Sequence, residues 1–362
     1  MIHIMLVHRS GWQRGFPNVN SNVFDVDGKW QRSIFSAIAN VDHAIAVDTF
    51  FVIGGLLISQ SILNSMEKKC FNIPKMYLHR YLRTTPVLAL LILIILSILK
   101  FLGNGPYFDY FINIAFVKSC EKNWWAALLH IQNYYDPLGA CLQASWYLSV
   151  DFQLVLLSPL LLYPIYKWGW KFLWLLPTYV VAIEVWAFVV SFKNKYKAAR
   201  LLMPPEVGQT FGVDFYFPTH IRMGPWLIGV MMGYIFYSTK HKKVIINKYL
   251  NIAMWLLSIG TMTAILVGML PLQNAKYPAN QFANSLWIAF TRNNWGYSIA
   301  WIIFACQNGS GGVIKWFLEH PLWQPLGRMS LSFYLVHSIY QIISIGSGKV
   351  PQYFSTTNVV RQ

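Results

Sequence analysis

Acidic residues are scarce in this chain: 13 Asp and Glu among 362 residues, against 29 Lys and Arg. All charged side chains together make up only 12% of the sequence, whereas 56% is hydrophobic and mean hydropathy is +0.41. That balance lies outside the ordinary soluble range and excludes a water-soluble globule. Cysteine is also scarce, with four residues and no paired CxxC element, so a zinc site has no support. A GxxxxGK[ST] loop and an HExxH helix are absent, which removes a P-loop ATPase and a zinc hydrolase. No internal repeat is evident either, and this counts against the inverted-repeat transporter architectures.

What the chain has in quantity is long apolar runs. A window of about 19 residues predicts spans over 42–62, 86–103, 146–166, 172–191, 225–238, 251–270, 293–306 and 329–346. Residues 1–8, Met-Ile-His-Ile-Met-Leu-Val-His, read as the last two turns of a further span whose beginning lies outside the sequence. They carry no signal-peptide pattern. The fold class is therefore all-α, a polytopic transmembrane helical bundle of about 8–10 spans with incomplete terminal spans.

The formal charge of +16 sits in short loops between the apolar runs and not on one continuous patch. It speaks for anionic lipid headgroups as partners and against nucleic acid. Lys68, Lys69, Lys75, Arg80 and Arg83 crowd one connection, and Lys240, Lys242, Lys243 and Lys248 another, so the positive-inside rule assigns both to the cytosol. Alternation then puts 9–41, 104–145, 192–224 and 271–292 outside, although Lys193, Lys195, Lys197 and Arg200 break the rule in one longer loop. Cys120 and Cys141 share the outer loop 104–145, an oxidising setting where they form either a disulfide or two unrelated thiols.

The most informative residues are acids inside apolar runs. Asp48 lies in Val47-Asp48-Thr49-Phe50-Phe51, and Asp151 lies in the run that opens at Trp146. An unpaired charge at such depth costs at least ~2.5 kcal/mol, which a passive anchor has no need to bear. Two readings are open: the acids orient a catalytic imidazole, or they pair with Arg80, Arg83 or Arg222 and hold helices together. Glu184 is intramembrane with no evident role, and His337 is either a functional or a packing histidine. Trp124, Trp125, Trp146, Trp168, Trp170 and Trp226 read as interfacial belts, with Trp124-Trp125 also a candidate cover for a binding site.

Several of these stretches occur together in one order. Val47-Asp48-Thr49-Phe50-Phe51-Val52-Ile53-Gly54-Gly55 comes first, then Tyr77-Leu78-His79-Arg80-Tyr81-Leu82-Arg83-Thr84-Thr85-Pro86. Asn123-Trp124-Trp125, Cys141, Trp146-Tyr147-Leu148 and Asp151-Phe152-Gln153 follow, and Pro325-Leu326-Gly327-Arg328-Met329-Ser330 and Tyr334-Leu335-Val336-His337 close the set. This set resembles the acyltransferase-3 membrane family, specifically its nose-resistant-to-fluoxetine group. The likeness runs over residues 1–346 as one membrane domain, its first helix truncated, with 347–362 as a short tail. The family's N-terminal luminal domain and last helix or helices have no counterpart here.

The resemblance implies transfer of an acyl group from acyl-CoA, a co-substrate and not a bound cofactor, to a hydroxyl-type acceptor on a lipid or other small molecule. His8 matches the family's general base, and an imidazole suits that task because its ordinary pKa lies near neutrality. Arg80 and Arg83 match its paired arginines, whose guanidinium forks suit the phosphates of coenzyme A; headgroup anchoring is the plainer alternative. Asp48 and Asp151 are the acids expected beside the base. The expected location is the endoplasmic reticulum or plasma membrane. The rival readings are a transporter or binding protein for lipids or small hydrophobic compounds, and an inactive relative.

Overall fold

A computed structural model of the chain describes residues 1–24, 30, 33–40, 44–199, 202–240, 242–274 and 279–355. Arg200, the first residues of the expected span 42–62 and residues 356–362 of the tail lie outside the described residues. The described residues are helical, without strands; the one isolated bridge joins Asn18 to Gln352. The principal helices are α1 (Ile2–Gly15), α2 (Ala44–Glu67), α3 (Ile73–Ser97), α4 (Lys118–Leu128), α5 (Trp146–Trp168), α6 (Leu175–Lys193), α7 (Thr219–Ser238), α8 (Lys248–Val267), α9 (Gln281–Gln307) and α10 (Ser330–Gly346).

Five stretches, Ile45–Glu67, Ile73–Ser97, Gln143–Trp168, Trp170–Lys193 and Lys248–Leu272, are long and apolar enough to cross a bilayer, so the protein is a multi-pass membrane protein. Helices α7 and α9 have 20 and 27 residues but carry polar side chains in their interiors.

Those polar side chains explain where sequence boundaries and structure differ. The expected span 86–103 belongs to a helix that starts thirteen residues earlier, because Asn72 caps the Lys75 N–H and Pro74 fits the first turn. Pro86 sits inside α3, not at its start. The expected spans 225–238 and 293–306 likewise extend back to Thr219 and Gln281, the second start capped by Asn280. In each case a hydropathy window discards arginine or asparagine that the fold turns inward. The same holds at the beginning of the chain: residues 1–8 are not the last two turns of a helix, for α1 runs on to Gly15 and buries Arg9, Ser10 and Gln13.

The centre of the bundle is the crossing of α2 and α7. A Cβ on Gly55 would collide with the Trp226 carbonyl, one on Gly229 with the Val52 carbonyl, and one on Gly233 with Ser59. Small residues thus let the two backbones meet, which is how helices associate where lipid supplies no hydrophobic drive. Trp226 is fully buried beside this contact and is no interfacial belt residue. Trp168 and Trp170 are half exposed at the far ends of their helices.

The helix ends fall into two groups. At one end, Lys240 reaches Glu67 and the Val244 N–H donates to Asn308, gathering the Lys-rich connections. At the other, a disulfide joins Cys120 to Cys141 and folds the 108–145 segment over the bundle. That segment is anchored by buried polar contacts: Thr85 Oγ1 to His130 Nε2 at 3.0 Å, Gln153 Nε2 to the His130 carbonyl at 2.7 Å, and Asn133 Nδ2 to Thr219 at 3.0 Å.

Candidate active site

Two cavities approach the start of α5, one from each end of the bundle. The first, about 440 Å³, opens at the disulfide end and is lined by Val7, His8, Gly11 and Trp12 of α1, with Gln143, Trp146, Tyr216 and Ser338 among its other walls. The second, about 610 Å³, opens at the Lys-rich end and is lined by Ser61, Lys75, His79, Arg80 and Arg83, with Tyr147 and Asp151 at its inner limit. Trp146 faces one cavity and Tyr147 the other, so consecutive residues form the partition. Trp124 and Trp125 line neither; Trp125 packs edge-on against Tyr135.

Every candidate residue has a definite position in this arrangement. His8 Nδ1 lies 2.7 Å from His337 Nε2, an imidazole pair joining α1 to α10 across 329 positions of sequence. His337 Nδ1 is 2.5 Å from the Tyr334 carbonyl, and Ser338 Oγ is 3.2 Å from His337 Nε2. The Tyr334 hydroxyl donates to the Ala144 carbonyl, tying α10 to the start of α5 beside the first cavity.

Both acids have arginine partners. Asp48 meets Arg222 at 3.3 Å with both side chains wholly buried, and Arg222 also donates to the Tyr216 carbonyl and lies over the rings of Trp146 and Tyr216. Trp146 is accordingly a buried wall of the first cavity and not a belt residue. Asp151 pairs with Arg80 inside the second cavity. Of the two open readings for these acids, the structure displays the arginine pairing. A partner it shows for His8 is the imidazole of His337, which the sequence leaves open as either a functional or a packing histidine. Arg83 is exposed and faces the same cavity as Arg80, one turn along α3. Glu184 is hydrogen-bonded to Asn293, linking α6 to α9. No cluster of metal-ligating side chains occurs among the described residues.

A multi-pass helical membrane domain with a histidine pair at one cavity and an arginine pair at another defines the class. The acyltransferase-3 family, an acyltransferase domain, matches residues 3–359, and the chain belongs to that family. It is similar to nose resistant to fluoxetine protein 6 of Caenorhabditis elegans, 25% identical over 87% of this chain and 41% of that protein. It is also similar to regulator of hypoxia-inducible factor 1 of the same organism, 25% identical over 64% of this chain and 48% of the relative. A shorter likeness, 27% identity over 34% of this chain and 20% of the relative, links it to peptidoglycan O-acetyltransferase OatA of Listeria monocytogenes. The chain thus spans less than half the length of each of these curated relatives. No solved structure matches it.

Proposed function

We propose that the protein is a membrane O-acyltransferase that moves an acyl group from acyl-CoA to a hydroxyl, with His8 as general base. The observation that carries the reading is the partition: an arginine-bearing cavity and a histidine-bearing cavity are back to back across Trp146 and Tyr147. Acyl-CoA enters at the Lys-rich end, which the positive-inside rule assigns to the cytosol. Arg83 and Lys75 attract its phosphates, while Arg80 is held in place by Asp151. The thioester carbonyl reaches the partition at Tyr147.

The acceptor occupies the first cavity. Its walls include Trp12, Phe116, Trp146, Tyr216 and Phe217, and its polar groups include His8, Gln143, Ser338 and the Tyr216 phenol, with no carboxylate, lysine or arginine among the described lining residues. Such a lining suits a hydroxyl carried on an apolar body, a lipid or small hydrophobic alcohol, better than a charged acceptor. His8 takes the hydroxyl proton as the oxygen attacks the thioester carbon. The C–O bond forms, the C–S bond breaks, and the proton passes on to the departing thiolate, leaving an ester and free coenzyme A.

The test is incorporation of labelled acyl groups from acyl-CoA into membrane extracts containing the protein or its His8→Ala form. Label in a new ester that disappears with His8→Ala is the expected result. Movement of a hydrophobic compound without any covalent product, across several acyl-CoAs, would replace this reading by transport or binding.

A further inference from the structure

We infer that His337 is a positioning residue that fixes the proton on His8, so that the two rings and the Tyr334 carbonyl act as one hydrogen-bonded chain. The inference rests on the reading of His8 as the base and deepens it. A backbone carbonyl only accepts, so the 2.5 Å contact from His337 Nδ1 to the Tyr334 oxygen requires a proton on Nδ1. In the neutral ring that proton makes Nε2 the lone-pair nitrogen. His8 Nδ1, 2.7 Å away, must then be the donor, and the neutral His8 ring is left with its lone pair on Nε2.

One carbonyl thus sets the tautomer of two histidines in sequence. The tautomers are assigned from these partners, and the opposite assignment would set two bare nitrogens or two N–H groups against each other at the His8–His337 contact, or leave a lone pair facing the carbonyl. The arrangement has the logic of an acid behind a catalytic histidine: the rear group holds the ring and its tautomer, and the forward nitrogen takes the proton. Here the rear group is a neutral imidazole. That choice fits the site, because His337 is 3% exposed, and a carboxylate there would need a partner of its own, as Asp48 has in Arg222. Ser338 Oγ lies 3.2 Å from the same His337 nitrogen, a longer contact that shares its one lone pair with the 2.7 Å contact from His8. His8 and Ser338 line the cavity whereas His337 stands behind them, so His337 acts on His8 and not on the acceptor.

The test compares steady-state acyl transfer by the whole chain and by His8→Ala, His337→Leu, His337→Met and His337→Gln, each checked for folding by its thermal transition in detergent. Glutamine keeps an acceptor oxygen for the His8 N–H; leucine and methionine fill the space without one. The expected result is a fall in kcat of about 100-fold or more for the apolar variants, in the range that general-base catalysis supplies. The acceptor KM stays close to that of the native protein, and glutamine recovers most of the lost rate. If His337→Leu or His337→Met turns over like the native protein while His8→Ala is inactive, the positioning role is overturned and the base survives. If glutamine is no better than the apolar residues, or KM carries the loss, His337 is only a packing residue. If His8→Ala retains full activity, the base reading itself fails and takes this inference with it.

Discussion

The residues that matter most are paired across distances no local pattern reports. Asp48 and Arg222 are 174 positions apart, Arg80 and Asp151 71, His8 and His337 329. Composition and the apolar runs made each charge conspicuous, because a charge in lipid needs a reason. They could not say which partner it has, since partner choice is decided by helix packing. The histidine pair was the least legible, for an imidazole in a span is most often a satisfied packing group. The buried pairs carry a direct prediction. Asp48→Ala leaves the fully buried Arg222 without its carboxylate, and breaking such a pair costs about 3–5 kcal/mol. A marked fall in the thermal transition in detergent is expected, and an unchanged transition would show that the pair contributes little.

Helices were readable as elements, but their lengths were not. The apolar centres of α3, α7 and α9 stand out in the sequence, whereas their N-terminal portions hold Arg80 and Arg83, Arg222, and Asn284 respectively. A window that scores side chains one by one places such turns in loops. The glycines of α7 were equally mute, because their meaning depends on α2 lying across them. Gly229→Val would force the two backbones apart, and overpacking of this kind typically costs about 1–3 kcal/mol. Reduced yield of folded protein and a lower thermal transition are expected, whereas Gly260→Val, where a Cβ would meet nothing, serves as the neutral control.

The segment that the disulfide closes has its own acid response. Burial raises the Asp136 carboxyl, but the Asn123 amide at 2.9 Å, the Gly139 N–H at 3.0 Å and Lys122 at 3.6 Å together hold it below the ordinary carboxylate range. A carboxyl lowered in the folded state stabilises above its unfolded pKa of about 3.9 and loses that contribution as pH falls toward the folded value. The protection of the Gly139 amide against hydrogen exchange, relative to its intrinsic rate at each pH, should therefore fall below about pH 4 in the native protein, and lose that dependence in Asp136→Asn.

At the scale of the molecule, two cavities opening at opposite ends turn a bundle of helices into a device with two sides. The all-α membrane architecture was legible from scarce charge and long apolar runs alone. The cavities were not, because their walls come from α1, α2, α3, α5 and α10 together with the segments before α3, α4, α5 and α7. Arg83→Ala removes a cation only from the cavity proposed to take the donor, so the KM for acyl-CoA should rise about tenfold, a typical loss for one charge-assisted contact. The acceptor KM should not change; an equal effect on both would argue against separate donor and acceptor cavities.

The most direct test of the account uses sealed vesicles with the protein inserted in a known orientation and labelled acyl-CoA confined to one side. Transfer of label to a membrane alcohol only when acyl-CoA faces the Lys-rich end, with none in His8→Ala, is the predicted result. Equal transfer from both sides, or ester formation that survives His8→Ala, would contradict it.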